Sequence, residues 1–505
     1  MEKSNHTETV TKLTDVFEEN VFLINKYFLG NKNADFVMEH IYIPFLDRDA
    51  VLFYIRGMAN EQQIFEKVIP AFNRAVTYTL YSHTTLGKLK ELAPVTIRKE
   101  LHSFQEMEIC LNGGQSLLLI EGEPVIYPID TKSIESRSVG NAEIETVLKG
   151  PKEAFVESEI INTSLIRKQL RTSQLVKEHV KVGYGQENTV ALLYLNDVAN
   201  EELVEKVRER IAQIEVENVQ NLPMLEQHIE ERPYSLVPSI LTTERPDRAA
   251  AFLKEGHVVL LMDSSPDCLV MPVTFWSFFH TAEDYYQRWA YGNLMRIVRL
   301  LAFFAALLAP ATFIAVTNYH VEALPTDMLL TVSATRDLVP FPAIFEIILV
   351  EITFDIIREA GTRFPSKNGP IVALLGALII SIAAIEAGII SPIVVTVVGF
   401  SSLASYTIAT NSFVFAVRIA RFAFIALASF IGFFGIAIGV QACVAYLASL
   451  KSFDVPFVSP MAPHYPSSKD LIVRPPLWKM WLRPLHVYPL KEVRGKKPEG
   501  GGVND

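Results

Sequence analysis

Hydrophobic and polar positions divide this chain near residue 290. Before that point apolar residues come in short runs broken by charges and turns. From 297 to 450 they dominate, as Ala, Ile, Leu, Val, Phe and Gly in blocks of about 20, the length that crosses a bilayer core. Past 450 the chain is polar, Pro-rich and basic. The pattern predicts a soluble N-terminal region of α+β or α/β type, in two subdomains, followed by an α-helical transmembrane bundle. The expected divisions are a polar N-terminal segment (1–39), α/β subdomains at 40–140 and 141–290, a helical transmembrane domain (291–450) and a basic Pro-rich cytoplasmic tail (451–505). Each subdomain has an ordinary domain size.

Within the front half, "VFEENVFLINKYFLG" in the first segment is amphipathic and predicts a helix or a loosely ordered stretch. "AVLFYIRG" (50–57) is rich in strand formers, and "EQQIFEKVIPAF" (61–72) has helical spacing. "MEICLNGGQSLLLIEGEPVIYPI" (107–129) reads as a β-hairpin, two strand-like runs flanking Asn112-Gly113-Gly114. "EAFVESEIINTSLIRKQL" (153–170) predicts a helix, and "VKVGYGQENTVALLYLNDV" (180–198) predicts strand, turn, strand. "NEELVEKVRERIAQI" (200–214) predicts a helix capped by Asn200, and "HVVLLMDSS" (257–265) a buried strand.

The apolar blocks run roughly 297–317, 340–357, 369–388, 389–411 and 420–448. Arg288, Arg296 and Arg299 before the first block set the front half in the cytoplasm, because basic residues gather on that side. Arg363 and Lys367 after the second block, and Arg418 and Arg421 before the last, fit five crossings. Five crossings send the tail outside, with Lys469, Arg474, Lys479, Arg483, Lys491, Arg494, Lys496 and Lys497, against the same rule. Either one block fails to cross, or "LPTDMLLTVSATRDL" (324–338) adds a crossing; both termini are expected inside.

Composition narrows the function. The start lacks the apolar core of a secretory signal, so the front half is expected to stay in the cytoplasm. Cys110, Cys268 and Cys443 are widely spaced, which argues against a disulfide framework or zinc site. The net charge of −10 argues against nucleic-acid binding. No P-loop, GxGxxG, HExxH or GxSxG motif is present, so neither an enzyme nor a cofactor or metal site is expected.

His280, Glu283 and Asp284 in "FFHTAEDYYQRW" read as part of an amphipathic surface helix, with Phe279, Tyr285, Tyr286 and Trp289 in an interfacial aromatic belt. His320 and Glu322 read as solvated loop residues. "EIILVEITFDIIREAG" (346–361) stands apart. On a helix Glu351, Asp355, Arg358 and Glu359 share one face while Glu346 points elsewhere, and the carboxylates can pair with Arg358. Charges inside spans face a bundle interior, a water path or a neighbouring subunit; the bland alternative is a helix lying in the interface. Glu386 is a second buried-carboxylate candidate or a residue at a turn mouth, and "GFSSLASYTIATNS" (399–412) favours close helix packing, with a polar pore face as the alternative.

Several segments resemble the A-subunit family of bacterial spore germination receptors, the GerA type. They are "KGPKEAFVESEIINTSLIRKQL", "TTERPDRAAAFLKEGHVVLLMDSSPDCLVMPVTF", "AEDYYQRW", "NYHVEALP", "VPFPAIFEIILVEITFDIIREAGTRFP" and "RPPLWKMWLRP", in the family's order. "GYGQENT" (183–189) and "KMWLRP" depart from the family's "GRTSTT"-like and "KMKRRP" patterns. The resemblance implies an inner-membrane protein of the endospore with its α/β region in the core. It implies assembly with a transporter-like B subunit and a lipoprotein C subunit, and oligomerisation into a ring that conducts cations when nutrients are sensed. Stage V sporulation protein AF, tied to ion and dipicolinate release, shares the architecture, and a non-conducting scaffold is the other reading. Glu346, Glu351, Asp355 and Glu386 are the candidates for a cation path or gate, with Arg358 as pairing partner and Glu359 on the same stripe.

Overall fold

The computed structural model describes residues 13–73, 100–132, 145–184, 188–337, 339–363, 369–466 and 470–495, with isolated positions between 84 and 142. Residues 1–12, the centre of "GYGQENT", Lys367, Lys469, Lys496 and Lys497 lie outside them. The chain forms two compact units: Met1–Glu231 with Ile240–Pro272 and Trp481–Lys497, and Arg232–Ser239 with Val273–Met480 and Pro498–Asp505.

The first unit carries two antiparallel sheets. Helix α1 (Phe17–Tyr27) precedes β1 (Phe36–Ile43) and β2 (Arg48–Ile55), which pair from Phe36↔Ile55 to Ile43↔Arg48. A helical stretch over 61–73 follows, π-wound at Ile64–Val68, and then α2 (Phe104–Leu111), β3 (Ser116–Ile120) and β4 (Ile126–Ile129). The order is β1-β2-β3-β4. Leu52 and Tyr54 pack on one face and Val51, Phe53 and Ile55 on the other, so both faces are covered and β2 reads as a continuous apolar run.

The structure corrects the hairpin expected around Asn112-Gly113-Gly114. "MEICL" closes helix α2, because Ser103 Oγ caps it by accepting the Glu106 N–H at 3.3 Å. Gly114, at φ 82°, then turns the chain into β3, and a Cβ there would meet Met58 O at 2.6 Å. The hairpin is β3–β4, turning at Gly122 (φ 77°).

The second sheet has α3 (Glu159–Leu170), β5 (Leu175–Val182), β6 (Asn188–Leu195), α4 (Glu201–Ala212), α5 (Leu222–Ile229), β7 (Leu241–Thr243), α6 (Pro246–Glu255), β8 (Val258–Met262) and β9 (Cys268–Met271). Its order is β5-β6-β8-β9-β7. Asn200 caps α4, its Oδ1 accepting from Glu202 N at 3.0 Å. Helix α3 starts later than its periodicity suggested, since Phe155 N–H is committed to Glu244 O at 2.8 Å.

Ionic networks fasten this unit internally. Asp35, just before β1, takes Arg167 of α3 at 3.2 Å and Lys177 of β5 at 2.8 Å, and Lys177 also holds Glu159 at 3.0 Å. All four are buried. In the "ERPD" stretch, Arg245 is buried, pairs with Asp247 at 2.7 Å and donates to the carbonyls of Glu145 and Pro151 at 3.1 and 2.9 Å.

Tail residues 481–495 belong to this unit. Leu490 N–H donates to Val198 O at 2.8 Å, Arg483 Nε to Lys254 O at 2.8 Å, and Lys491 pairs with Asp197 at 2.6 Å. His257 and His486 are buried here; burial, then each other's proximity, pushes His257 down to about 3, and burial pushes His486 down to about 4. Both rings are neutral when the tail is docked, whereas His486 on an undocked tail titrates near 6.5. Docking is therefore unaffected above about pH 7 and weakens as pH falls from about 6.5 toward 4, where undocked His486 takes up a proton that the docked ring refuses. Hydrogen exchange of 481–495 is expected to be faster at pH 5 than at pH 7.5, once corrected for intrinsic rates.

The second unit is helical. It contains α7 (Glu283–Tyr286), α8 (Trp289–Tyr319), α9 (Thr326–Arg336), α10 (Ala343–Arg363), α11 (Gly369–Glu386), α12 (Pro392–Ser405) and α13 (Asn411–Ser449). Among the described residues, α8 and α13 are the helices long and apolar enough to cross a membrane; Leu375–Glu386 and α12 are shorter apolar helices.

The last apolar block is not one rod. At Ile431 and Gly432 the backbone of α13 leaves helical geometry, Gly432 taking φ 60° and ψ −135°. A Cβ on Gly435 would lie 2.1 Å from Leu427 O, and one on Gly439 2.7 Å from the Phe424 ring. A straight helix separates those pairs by about 12 and 22 Å. Helix α13 therefore doubles back into two arms, 411–430 and 433–449, and glycine lets the arms touch. Tyr319 at the end of α8 donates to the carbonyls of Ser429 and Phe430 at 2.5 and 2.9 Å, groups left unpaired by the end of the first arm.

Residues 275–289 differ from the expected surface helix. A 3₁₀ turn (Phe275–Phe278) precedes α7, and Phe279 is buried against Phe275, Phe303 and Phe413. Asp284 is buried as well, because Arg296 and Arg299 from the first turns of α8 converge on it at 3.1 and 3.2 Å.

Candidate functional site

Helix α10 carries the charged stretch, and its buried positions recur at three and four: Ala343, Glu346, Ile347, Val350, Glu351. Glu351 and Arg421, from the first arm of α13, are both 0% exposed and pair at 3.0 Å. One turn on, Asp355 pairs with Arg418 at 2.5 Å. Arg421 Nη1 donates to Ser401 Oγ of α12 at 3.1 Å. The hydroxyls of Ser401 and Ser405 otherwise turn back to their own helix, to Val398 O and Ser402 O, and the small side chains let three helices meet around the guanidinium.

Arg358 does not take the carboxylates. Its guanidinium donates to Ser405 Oγ at 3.3 Å and lies 4.5 Å from the centroid of the Tyr406 ring. Glu359 pairs with Arg363 at 2.7 Å on the exposed side, one helical turn along. The expected pairing on a single helix is replaced by pairing between α10 and α13. The reason is geometric: antiparallel helices align Glu351 and Asp355 (i, i+4) with Arg421 and Arg418 (i, i−3). Arg418 and Arg421 were read from the sequence only as markers of orientation. Their three-residue spacing inside an apolar run is about one helical turn, as is the four-residue carboxylate spacing of α10, and was the available signal.

Glu346 faces elsewhere, as its helical angle requires. It is buried, and its Oε2 accepts the Ser391 N–H at 3.0 Å, at the N-terminus of α12. Ser391 makes no side-chain cap of its own, so the Glu346 carboxylate sits where the helix dipole favours negative charge. Glu386 is exposed at the end of α11, beside the turn containing Gly388 (φ 66°).

These contacts also fix helix directions. Glu346 meets the start of α12 and Arg358 its end, so α10 and α12 run parallel. Both oppose the first arm of α13, whose Arg418 and Arg421 meet Asp355 and Glu351 in reverse order.

Comparison with known proteins supplies a context for this geometry. Residues 24–486 match the family model described as Bacillus/Clostridium GerA spore germination protein. Spore germination protein KA of Bacillus subtilis (strain 168) is 32% identical over 92% of this chain and 86% of its own length. The uncharacterized membrane protein YfkQ of the same organism is 33% identical over 94% and 90%. Spore germination protein GerQA of Bacillus cereus is 31% identical over 90% of each chain. Among solved structures, the N-terminal domain of the A subunit of the Bacillus megaterium spore germinant receptor GerK3 is 25% identical, with a TM-score of 0.40, over 53% of this chain and 98% of that one.

Proposed function

This chain belongs to the Bacillus/Clostridium GerA spore germination protein family, and from that premise we propose that it is a germinant-receptor A subunit whose helical unit holds a cation path shut. The observation that carries this reading is the pair of ion pairs, Glu351–Arg421 and Asp355–Arg418, buried between α10 and α13, two helices rich in apolar residues. Charge placed there without a transport role costs several kcal/mol of desolvation per ion, only partly offset by pairing. In this arrangement the carboxylates are neutralised by arginines and do not offer themselves to a permeating cation. Conduction requires the first arm of α13 to move away from α10, which frees Glu351 and Asp355 to face the path.

The reading extends to membrane arrangement. Helices α8, α10, α11 and α12 and the two arms of α13 make six passes of alternating direction. An even number returns the tail to the side where it started, in agreement with residues 481–495 packing into the same unit as the sheets. The protein then lies in the inner membrane of the spore, its α/β unit and tail on the core side, as a ring of copies working with a transporter-like B subunit and a lipoprotein C subunit.

A second reading, a non-conducting scaffold, draws on the same pairs. Arg358, Arg418 and Arg421 outnumber Glu351 and Asp355, a balance that suits a helix seam better than a cation route. Planar-bilayer recording of the purified full chain separates the two. Cation-selective current, alone or with receptor partners, is expected under the channel reading; silence in every combination would leave the scaffold.

A further inference from the structure

A second cluster of buried charge lies at the base of α8, away from the α10–α13 pairs, and its charges do not balance. Arg296 and Arg474 are 3% and 2% exposed, and Arg299 reaches into the same cluster. Asp284 takes Arg296 and Arg299, and Asp470 takes Arg296 and the Tyr285 hydroxyl. Among the described residues no carboxylate pairs with Arg474. Glu283, on the same short helix, accepts from Gln287 Nε2 at 3.0 Å. His280 adds no positive charge near neutrality: burial, then Arg296, pushes it down to about 4, and its Nε2 lies 2.7 Å from Leu471 O. Among the described residues, three guanidiniums therefore face two carboxylates.

The surplus charge comes with unused donors. Arg474 Nε and Nη1 and Arg296 Nη2 are buried and have no hydrogen-bond partner among the described residues. Among the described residues the side-chain bond Arg474 makes is a long one, from Nη2 to Gln287 O at 3.5 Å. Its guanidinium lies 5.5 Å from the Tyr285 ring centroid, and that of Arg296 lies 5.3 Å from the same ring. Arg474 is held there by its backbone. Its N–H donates to Asn293 Oδ1 at 2.7 Å, and its carbonyl accepts from Asn293 Nδ2 and Trp289 Nε1 at 3.1 and 2.6 Å. A buried cation with open N–H groups is costly, so a fold that clamps one in place needs a reason other than packing.

We propose that Arg474 and Arg296 form a binding site for a phosphate group at the foot of α8. The planar guanidinium fork matches phosphate oxygens, and a single negative charge completes the balance. Tyr285, Gln287 and Trp289, which touch Arg474 or its backbone, are not fully buried, so the shell around Arg474 reaches solvent. The site stands where the apolar helix begins, beside tryptophan and tyrosine, the level at which a bilayer presents its headgroups. The phosphate belongs either to an anionic phospholipid or to a free phosphate ion. The proposal is independent of whether the α10–α13 pairs gate a cation path.

The test is calorimetric titration of the full chain, in neutral detergent, with short-chain phosphatidylglycerol, short-chain phosphatidylcholine and inorganic phosphate in separate arms. Saturable binding is expected with phosphatidylglycerol or inorganic phosphate. Binding of inorganic phosphate identifies the free ion as sufficient, and binding of phosphatidylglycerol alone identifies the lipid. Arg474→Gln is expected to weaken it about tenfold or more, the loss of a charge-assisted bond. Should Arg474→Gln fail to fold, Arg474→Lys keeps the charge and loses the fork, and is expected to bind several-fold more weakly. No saturable binding to the unmodified chain, equal binding of phosphatidylcholine and phosphatidylglycerol, or unchanged affinity in the folded Arg474 variants would each overturn the proposal.

Discussion

Arg421→Ala is expected to destabilise the helical unit by about 3–5 kcal/mol, the range for removing one partner of a buried pair. The loss exceeds that of an ordinary truncation because Glu351, 0% exposed, is left with its charge and no guanidinium. Ser401 also loses the donor it accepts from at 3.1 Å. Thermal unfolding of the full chain in detergent reads the effect. Combining Arg421→Ala with Glu351→Gln is expected to recover much of it, since the uncompensated charge is then gone. Arg363→Ala, which breaks an exposed pair with Glu359, serves as the control and is expected to cost less than about 1 kcal/mol. Equal losses for Arg421→Ala and Arg363→Ala would show that burial of the inner pair carries no energetic weight.

The second large effect belongs to the α/β unit. Asp35→Ala removes the anion that both Arg167 and Lys177 face, at 3.2 and 2.8 Å, with every member buried. Glu159 then compensates Lys177 alone, and among the described residues Arg167 keeps Asn33 Oδ1 at 3.1 Å and Leu175 O at 3.4 Å. A loss of about 3–5 kcal/mol is expected. Asp35→Asn, which keeps an acceptor but not the charge, is expected to fall between alanine and the native chain. Melting of the full chain followed by far-ultraviolet circular dichroism, where strand signal reports this unit, measures both. An Asp35→Ala chain as stable as the native one would show that the network is dispensable.

Much of this architecture was legible because burial writes itself into spacing. Strand β2 is covered on both faces and reads as an unbroken apolar run, and α4 announces its start through Asn200. The misreading at Asn112-Gly113-Gly114 has a local cause. Glycine pairs end helices as well as turn hairpins, and only the Ser103 cap distinguishes the two. The doubling of α13 was hidden for a similar reason. The sequence around Gly432 is as apolar as its flanks, so no polar signal marks a turn that lies between two apolar arms. In the arrangement proposed above that turn provides the sixth pass, whereas α9, within 324–338, is an 11-residue helix.

The charged stretch was half legible. Its periodicity put Glu351 and Asp355 on one face and Glu346 on another, and the contacts of Glu346 with Ser391 and of Glu351 with Arg421 follow that division. What periodicity on one helix leaves out is the partner. Arg358 lay nearest in sequence, yet Arg418 and Arg421 lie nearest in space, through a register set by packing between α10, α12 and α13.

Potassium flux from vesicles containing the full chain tests most directly whether those pairs hold a cation path shut. Arg421→Gln, which leaves Glu351 facing the path without its cation, is expected to raise potassium leak well above that of the native chain. Glu351→Gln with Arg421→Gln is expected to bring it back toward the native level by removing the freed carboxylate. Equal, background leak from all three, in folded and correctly inserted protein, would contradict the account and leave the pairs as a seam between helices.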